Sequence, residues 1–256
     1  LRDAFLLIAN SHNTRQILQN IWNVQADRIR VVHPGVDTRL FVPAARSSRI
    51  RSPLGWHDRR VILTVGRLQK RKGQDMLIRA LTRLRATFPD VLYVIAGDGE
   101  ERSALESLVR ELALDDLVQF RADVNDNELL TLYQQCDLFA LPNRAVGHDI
   151  EGFGMVLLEA QSCGKPVLAG DSGGTREALL PGVTGWLADC KTPESLATAL
   201  SVALSDSQRL DAMGLRAAEW VREEFDWSRV VDKMRTAFAR TPNTTSRACQ
   251  EPWNTR

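Results

Sequence analysis

The sequence lacks the features that mark a secreted or membrane-spanning chain. It has four cysteines, which form no CxxC pair and have no metal-binding histidines beside them: Cys136, Cys163, Cys190 and Cys249. We therefore expect reduced, structural thiols in a cytosolic protein. No apolar run approaches the roughly 18 to 20 residues of a membrane span, and the apolar start carries Arg2 and Asp3, unlike a signal peptide. The expected location is the cytoplasm, with peripheral attachment at the inner face of a membrane left open.

An excess of charge of one sign is also missing. The 33 basic residues nearly cancel the 32 acidic ones, so the formal net charge of the 256 residues is +1. No global field attracts nucleic acid or an anionic membrane, and we expect no nucleic-acid partner. Any anion site must come from a local cluster.

Several cofactor and metal motifs are absent. The turn Gly97–Glu101 (GDGEE) lacks the third glycine of GxGxxG, and no acidic residue ends a second strand as in a dinucleotide site. The P-loop pattern GxxxxGK[ST] does not occur, nor does DxD or HExxH. We therefore expect no cofactor and no phosphate-bridging metal ion.

What is present is a regular alternation of short apolar runs and amphipathic helices from Val61 onwards. Runs such as VILTVG, VLYVIAG, LVQF, DLFALP, PVLAG and TGWLAD alternate with helical segments of periodicity 3.6. About six such units predict an α/β fold with a doubly wound parallel sheet. The chain after the last run is nearly all helix.

The two ends do not continue this series. Residues 1–45 contain a strand, a capped helix and a strand that leads into a Pro-Gly turn, and are expected to be the tail of a preceding domain. Residues 46–225 form the predicted α/β domain and 226–240 a C-terminal crossover helix. Residues 241–256 are polar and aperiodic, and we expect them to be disordered.

The string GDSGG (170–174) is the one that surrounds the nucleophilic serine of chymotrypsin-like proteases. In those proteases it lies in an all-β double barrel and requires a histidine and an aspartate upstream. Here it follows a predicted strand and opens a helix. We interpret it as a glycine-rich turn at the carboxyl end of a strand, where open α/β sheets bind ligands; Ser172 is not expected to be a nucleophile.

Two further turns carry charged side chains. GRLQKRKGQ follows the strand at Val61 and places Arg67 and three more cations in one loop, which favours an anion site. In HDIEGFGMVLLEAQ, Glu151 precedes a helix and Glu159 lies roughly two turns further on. This spacing suits hydroxyls at two ends of one ligand, with a phosphate at the helix N-terminus between them.

These motifs resemble, in order and spacing, the C-terminal half of the family 4 retaining glycosyltransferases of the GT-B fold. The resemblance covers about residues 1 to 240 and rests on the GR…KG turn, the E-x7-E motif and the GG-x-x-E turn. It implies a Rossmann-like domain that binds a nucleotide-sugar donor. The implied donor-binding positions are Gly66, Arg67, Lys72, Gly97, Arg121, Val124, Glu151, Gly152, Phe153, Gly154, Met155, Val156 and Glu159.

The resemblance also implies a role for each group. Arg67 and Lys72 bind the diphosphate, Glu151 contacts the donor sugar, and these three are the expected catalytic residues. Glu159 holds the ribose hydroxyls. The amides of residues 153–155 touch phosphate or sugar, and the loop at residues 121–124 lies beside the base.

The sequence departs from that family in length. Members have two Rossmann-like domains and bind the acceptor mainly through the N-terminal one, which is missing here except for its apparent last elements. The chain is therefore expected to be a fragment or the product of a truncated gene, with a sugar, lipid or other acceptor, and to pair with the missing domain or with itself. An inactive nucleotide-sugar-binding module is one alternative, and an epimerase or phosphorylase of the same fold is another.

Overall fold

The computed structural model describes residues 4–239. Its strands are β1 (Leu7–Ala9), β2 (Ile29–Val31), β3 (Arg60–Val65), β4 (Val91–Ala96), β5 (Val118–Arg121), β6 (Leu138–Leu141), β7 (Val167–Gly170) and β8 (Gly185–Ala188). Its α-helices are α1 (His12–Asn20), α2 (Ser48–Arg51), α3 (Gln74–Leu84), α4 (Arg102–Glu111), α5 (Asp126–Gln135), α6 (Met155–Ser162), α7 (Pro193–Leu204), α8 (Ser207–Glu224) and α9 (Trp227–Ala239).

The main sheet is parallel throughout and has the order β5-β4-β3-β6-β7-β8. Counted from β3, this is the order 3-2-1-4-5-6 of the Rossmann fold. The predicted doubly wound α/β architecture is therefore confirmed. Strands β3 and β6 are neighbours without being consecutive, with Ile62 opposite Leu138 and Leu63 opposite Phe139. From β3 the chain continues to β4 on one side of this pair, and from β6 it continues to β7 on the other side. A crevice therefore opens between the carboxyl ends of β3 and β6.

Helices cover both faces of this sheet, which explains why its strands are continuous apolar runs. Every residue of β4 is buried. Successive residues of β3 point to opposite faces: Ile62 packs with the layer of α3, α4 and α7, whereas Val61 and Leu63 pack with that of α5 and α6. The apolar periodicity of α3 places Leu77, Ile78, Leu81 and Leu84 on its buried side.

Some of the predicted boundaries shift. The helix predicted to follow GDSGG forms only a 3-10 turn over Thr175–Ala178. The tight GDSGG turn lies directly before this segment, and the backbone is already extended at Leu179, which leaves too few residues for a helix. The predicted strand Pro166–Gly170 begins one residue later, at Val167. The predicted disordered tail, 241–256, lies outside the described residues.

The first residues form a small unit beside the main sheet. Strands β1 and β2 pair in parallel, and α1 between them is capped by the Ser11 side chain, which accepts from the Thr14 amide at 3.0 Å. Helix α9 returns to this unit, where Val230 packs with Val32. On the same helix the side chains of Trp227, Val231 and Phe238 are exposed.

Within the described residues, Cys136, Cys163 and Cys190 are buried and free. Cys249 lies outside the described residues. Among helices in the described part of the chain, none has the length and apolarity that crossing a membrane requires.

Candidate functional site

The three motif-bearing turns lie at the carboxyl edge of the main sheet, around the crevice between β3 and β6. The basic turn follows β3, the E-x7-E segment follows β6, and GDSGG ends β7. Residues that are far apart in sequence therefore meet here. This is the edge at which open α/β sheets bind ligands.

The basic turn and the first glutamate form one ionic cluster. Both the Lys72 ammonium and the Arg71 guanidinium lie 2.5 Å from Oε2 of Glu151. Arg71 also contacts Asp149, with Nε 3.0 Å from Oδ1. Lys72 and Glu151 are both buried, at 9% exposure each. Removing Glu151 would leave the buried Lys72 ammonium without its counter-ion, which is destabilising, whereas removing Lys72 would leave Glu151 paired with Arg71.

The predicted anion site therefore contains two kinds of cation. Lys72 and Arg71 are paired with carboxylates, whereas Arg67 and Lys70 are exposed and form no ion pair with any of residues 4–239. The sequence could not show this difference, because the carboxylates come from a segment about eighty residues away. The turn carries four cations but only two carboxylates, Asp149 and Glu151, pair with it, so it keeps excess positive charge.

A glycine sets how closely the two segments approach. Gly73 ends the 3-10 turn Lys70–Lys72 with φ +78°, in the left-handed region. A Cβ at this position would lie only 1.8 Å from the carbonyl oxygen of Pro142, directly after β6. The absence of a side chain at Gly73 therefore lets the basic turn touch the β6 segment. Beside it, Arg144 and Asp75 form a bidentate pair with both distances 2.8 Å.

The GDSGG turn supports the E-x7-E segment from the other side. The Gly174 amide donates to the carbonyl of Glu151 at 2.9 Å, and a Cβ on Gly173 would lie 2.1 Å from that same oxygen. The Ser172 carbonyl accepts from the Asn143 side chain at 2.9 Å. The described residues give Ser172 no histidine partner. The string thus ends a parallel strand in an α/β fold and makes close backbone contacts there; that this turn binds a ligand stays a prediction.

The segment 152–156 turns from this contact into α6. Gly154 has φ +92° and begins the helix without a side-chain cap, so the first amides of α6 have no partner from that cap. Phe153 is buried, Val156 is half-buried and Met155 is exposed. That backbone groups of this segment face a ligand stays a prediction.

The predicted base-side positions, Arg121 and Val124, lie at and just after the end of β5, the edge strand of the main sheet. The amide of Gly66 donates to Ala96, and that of Gly97 to Arg121, so the turns after β3, β4 and β5 are joined edge to edge. Nη2 of Arg121 donates to the carbonyl of Leu54 at 3.1 Å, while its buried Nε has no hydrogen-bond partner in the described structure. Val124 packs half-buried on the core.

Glu159 has a partner that sequence reasoning missed. The hydroxyl of Tyr133, on α5, donates to Oε2 of Glu159 at 2.6 Å. Burial raises the pKa of Glu159, although the Tyr133 hydrogen bond opposes that rise. Burial also raises the pKa of Tyr133, so its hydroxyl keeps its proton and donates. The sequence showed a tyrosine on the preceding helix but gave no sign of this contact.

Replacing Tyr133 with phenylalanine is expected to raise the pKa of Glu159 further, because the hydrogen bond that lowers it is lost. A group whose pKa is raised in the folded state stabilises the fold fully at pH values below its ordinary pKa of 4.5. This stabilisation is lost as the pH rises through the folded-state pKa. The variant should therefore lose about 1.5 to 3 kcal/mol at neutral pH, and less in acid. A carboxyl NMR titration, with Glu159→Gln to assign the resonance, measures the shift; an unchanged pKa would contradict this account.

Glu177, the glutamate of the GG-x-x-E turn, is a second residue whose contacts the sequence did not reveal. Its carboxylate accepts from the amide of His12 at 2.8 Å, the amide of Asn13 at 3.2 Å and Nε2 of His33 at 2.8 Å. Burial alone would raise the pKa of Glu177, but these hydrogen bonds lower it below its ordinary value. Glu177 thus joins α1 and the end of β2 to the main domain.

The same contact brings the small N-terminal unit against the site. A Cβ on Gly174 would lie 3.0 Å from Cβ of Ser11, and one on Gly152 would lie 3.3 Å from the side-chain nitrogen of Asn10. Residues 10–13 therefore border the E-x7-E turn. No sequence motif pointed to this contact, because it depends on the path of the chain between β2 and β3.

The comparison with known families identifies the main domain. Residues 47–220 match the sequence profile of the family described as Glycosyl transferases group 1. This range contains the basic turn, the E-x7-E segment and the GDSGG turn.

Two relatives from Mycolicibacterium smegmatis extend this match. A GDP-mannose-dependent alpha-(1-6)-phosphatidylinositol monomannoside mannosyltransferase is 40% identical over 197 residues, which cover 76% of this chain and 52% of that protein. A D-inositol 3-phosphate glycosyltransferase is 34% identical over 244 residues, which cover 93% of this chain and 53% of that protein. The chain thus spans about half the length of these relatives.

Solved structures agree. The Anabaena HepE protein in complex with UDP superimposes with a TM-score of 0.83 at 28% identity, over 93% of this chain and 64% of that one. A sucrose-phosphate synthase from Thermosynechococcus elongatus gives a TM-score of 0.78 at 27% identity, over 91% and 57% of the two chains.

Proposed function

The chain belongs to the glycosyl transferases group 1 family, and on this premise we propose that it is the donor-binding half of a retaining, family 4 glycosyltransferase. It would hold a nucleotide-diphosphate sugar while the sugar is transferred to an acceptor. The observation that carries this proposal is the ionic cluster at the crevice between β3 and β6. There a buried carboxylate, Glu151, and two cations, Lys72 and Arg71, converge from segments about eighty residues apart.

The cluster offers the two functions that the reaction needs. Breaking the bond between the sugar and the diphosphate leaves negative charge on the phosphate oxygens, and cations fixed beside those oxygens stabilise it. Lys72 is already fixed by Glu151, and Arg67 is exposed on the same turn. When a diphosphate binds, Lys72 can contact both phosphate and Glu151. This account requires no metal ion at the diphosphate.

Glu151 would then orient the sugar. Its carboxylate has one oxygen, Oε2, held by the two cations. Oε1 has no hydrogen bond from any side chain of residues 4–239, so it is free to accept from a sugar hydroxyl. Such orientation lowers the barrier by holding the donor in a reactive geometry. Glu159, at the far end of the same segment, would accept from the ribose hydroxyls in place of Tyr133.

The relatives do not decide which nucleotide this chain prefers. One uses GDP-mannose by its name, and the Anabaena structure holds UDP. The proposal is therefore a nucleotide-sugar donor and a sugar or lipid acceptor. The exposed apolar side of α9, with Trp227, Val231 and Phe238, is where we place the further half of the enzyme.

Replacing Glu151 with glutamine tests the proposed division of labour. Binding of the bare nucleotides GDP and UDP should stay the same or tighten a few-fold, because Lys72 and Arg71 lose the carboxylate that competes with phosphate. The preference for GDP-mannose or UDP-glucose over the matching bare nucleotide should disappear. Calorimetry with each pair of ligands measures both effects.

Asp149→Asn is the matched control, since it removes a neighbouring carboxylate of the same turn that contacts Arg71 alone. It should leave the sugar preference intact. An equal loss of affinity for every ligand in the Glu151 variant would instead assign Glu151 a folding role only. Transfer itself is tested by adding the N-terminal half of a relative to the purified chain.

A further inference from the structure

A second polar cluster lies beside the donor crevice and takes no part in the proposed reaction. We call it the His–Glu cluster: His12, the first residue of α1; His33, two residues after β2; and Glu177, in the turn after β7. Each residue offers one ligand atom, and these atoms all lie within 4.8 Å of one another. Three distant chain segments therefore bring two imidazoles and a carboxylate together.

The surroundings hold two of the three groups in place. The ring of His33 stacks on Phe153, with centroids 5.3 Å apart, and lies 6.0 Å from Phe225. Glu177 is fixed by the backbone amides of His12 and Asn13. A ligating carboxylate that is itself held by hydrogen bonds, as Glu177 is, is typical of metal sites. The third ring, that of His12, is exposed, and its centroid lies 6.0 Å from that of His33 in an edge-to-face arrangement.

We propose that the His–Glu cluster binds a divalent transition-metal ion of the zinc class. Two histidines and one glutamate form a ligand set found for zinc, with a fourth position for water. In a tetrahedral zinc site, neighbouring ligand atoms lie about 3.3 Å apart, given bonds of about 2.0 to 2.1 Å. The present distance from His33 Nε2 to Glu177 Oε2 is 2.8 Å, so a small outward shift makes room for the ion.

Besides that shift, binding requires a change of tautomer at His33. The proton on Nε2 moves to Nδ1, and the Nε2 lone pair then points at the ion in place of the hydrogen bond to Glu177. No electron is transferred and no proton is lost from a neutral ring. The ion would replace one hydrogen bond by bonds to three chain segments.

The consequence is a connection between α1, β2 and the main domain. Any ion that binds the folded chain and not the unfolded one stabilises the fold. Because Glu177 and the Ser11–Gly174 contact border the E-x7-E turn, the ion would fix that wall of the crevice. The ion site would be separate from the ionic cluster at Lys72, so this inference does not depend on the proposed donor role.

The test is a titration of the whole chain with Co²⁺ and with Zn²⁺, in a Cys249→Ser background that removes the thiol outside the described residues. We expect one ion per chain, the strong visible absorption of four-coordinate Co²⁺, and a higher melting temperature in Zn²⁺. His12→Ala and His33→Ala should each weaken binding about tenfold or more. His12→Ala should still fold, because its ring is exposed.

His57→Ala and His148→Ala are the matched controls, since both rings are exposed and lie outside the cluster. They should leave the affinity and the absorption unchanged. The proposal is overturned if no ion binds at millimolar concentration, or if His12→Ala and His33→Ala bind as the parent does. It is also overturned if all four variants lose affinity equally, which would show dispersed surface binding. Loss of the absorption only in the two cluster variants supports it.

Discussion

Replacing Lys72 with alanine should weaken the binding of nucleoside diphosphates by about 1.5 to 3 kcal/mol, or roughly 10- to 150-fold. Two effects act in the same direction. The substitution removes a charge-assisted contact to phosphate, and it leaves Glu151 with Arg71 as its remaining cation within 4 Å in the described structure, so the carboxylate repels the ligand more strongly. Isothermal titration calorimetry with GDP and UDP measures the loss.

Lys70→Ala is the matched control, because Lys70 belongs to the same 3-10 turn and is exposed. Its effect should be smaller and should shrink further in high salt, since a solvated charge is screened. Arg67→Ala should resemble Lys72→Ala if Arg67 contacts the diphosphate. Native far-UV circular dichroism must accompany the loss. Undiminished binding in both the Lys72 and the Arg67 variants would show that the turn is only a solvated surface.

Replacing Gly73 with alanine should destabilise the fold by about 2 to 5 kcal/mol. The left-handed backbone at Gly73 costs an alanine about 1 to 2 kcal/mol, and the overlap with the Pro142 carbonyl, 1.8 Å from the new Cβ, adds about 1 to 3 kcal/mol. That carbonyl follows β6 and has little freedom to retreat. Chemical denaturation of the ligand-free chain measures the change in the free energy of unfolding.

Gly182→Ala separates these two contributions. Gly182 has the same φ of +78°, but a Cβ there meets nothing within 4 Å. It should therefore cost only the backbone strain, about 1 to 2 kcal/mol. Both changes restrict the unfolded chain equally, so the difference between them isolates the close approach at the crevice. Equal costs for the two variants would show that the Pro142 contact does not constrain the turn.

The alternation of apolar runs and amphipathic helices was sufficient to predict the architecture. Each run from Val61 onwards became a parallel strand, because a strand covered by helices on both faces must be apolar along its whole length. The motifs predicted the edge of the sheet at which they lie, since turns that follow parallel strands share the carboxyl edge. The resemblance to glycosyltransferases was confirmed over residues 47–220, whereas family 4 and retention of configuration stay predictions. The individual donor-binding positions stay predictions.

What the sequence could not predict are the partners of the charged groups. Lys72 with Glu151, Tyr133 with Glu159 and His33 with Glu177 are separated by 79, 26 and 144 residues. Periodicity reports which side of an element is buried, but not which element lies beside it. That depends on the strand order.

The sequence by itself determined the fold class, the strands and most helices, and the turns that carry chemistry, because each follows from local patterns of apolar and charged residues. Only the tertiary structure decided that β3 lies beside β6, and so that Lys72 faces Glu151 while Arg67 stays exposed. The physical reason is that pairing energies depend on distance and burial. Both are set when the whole sheet assembles, and no single segment encodes them.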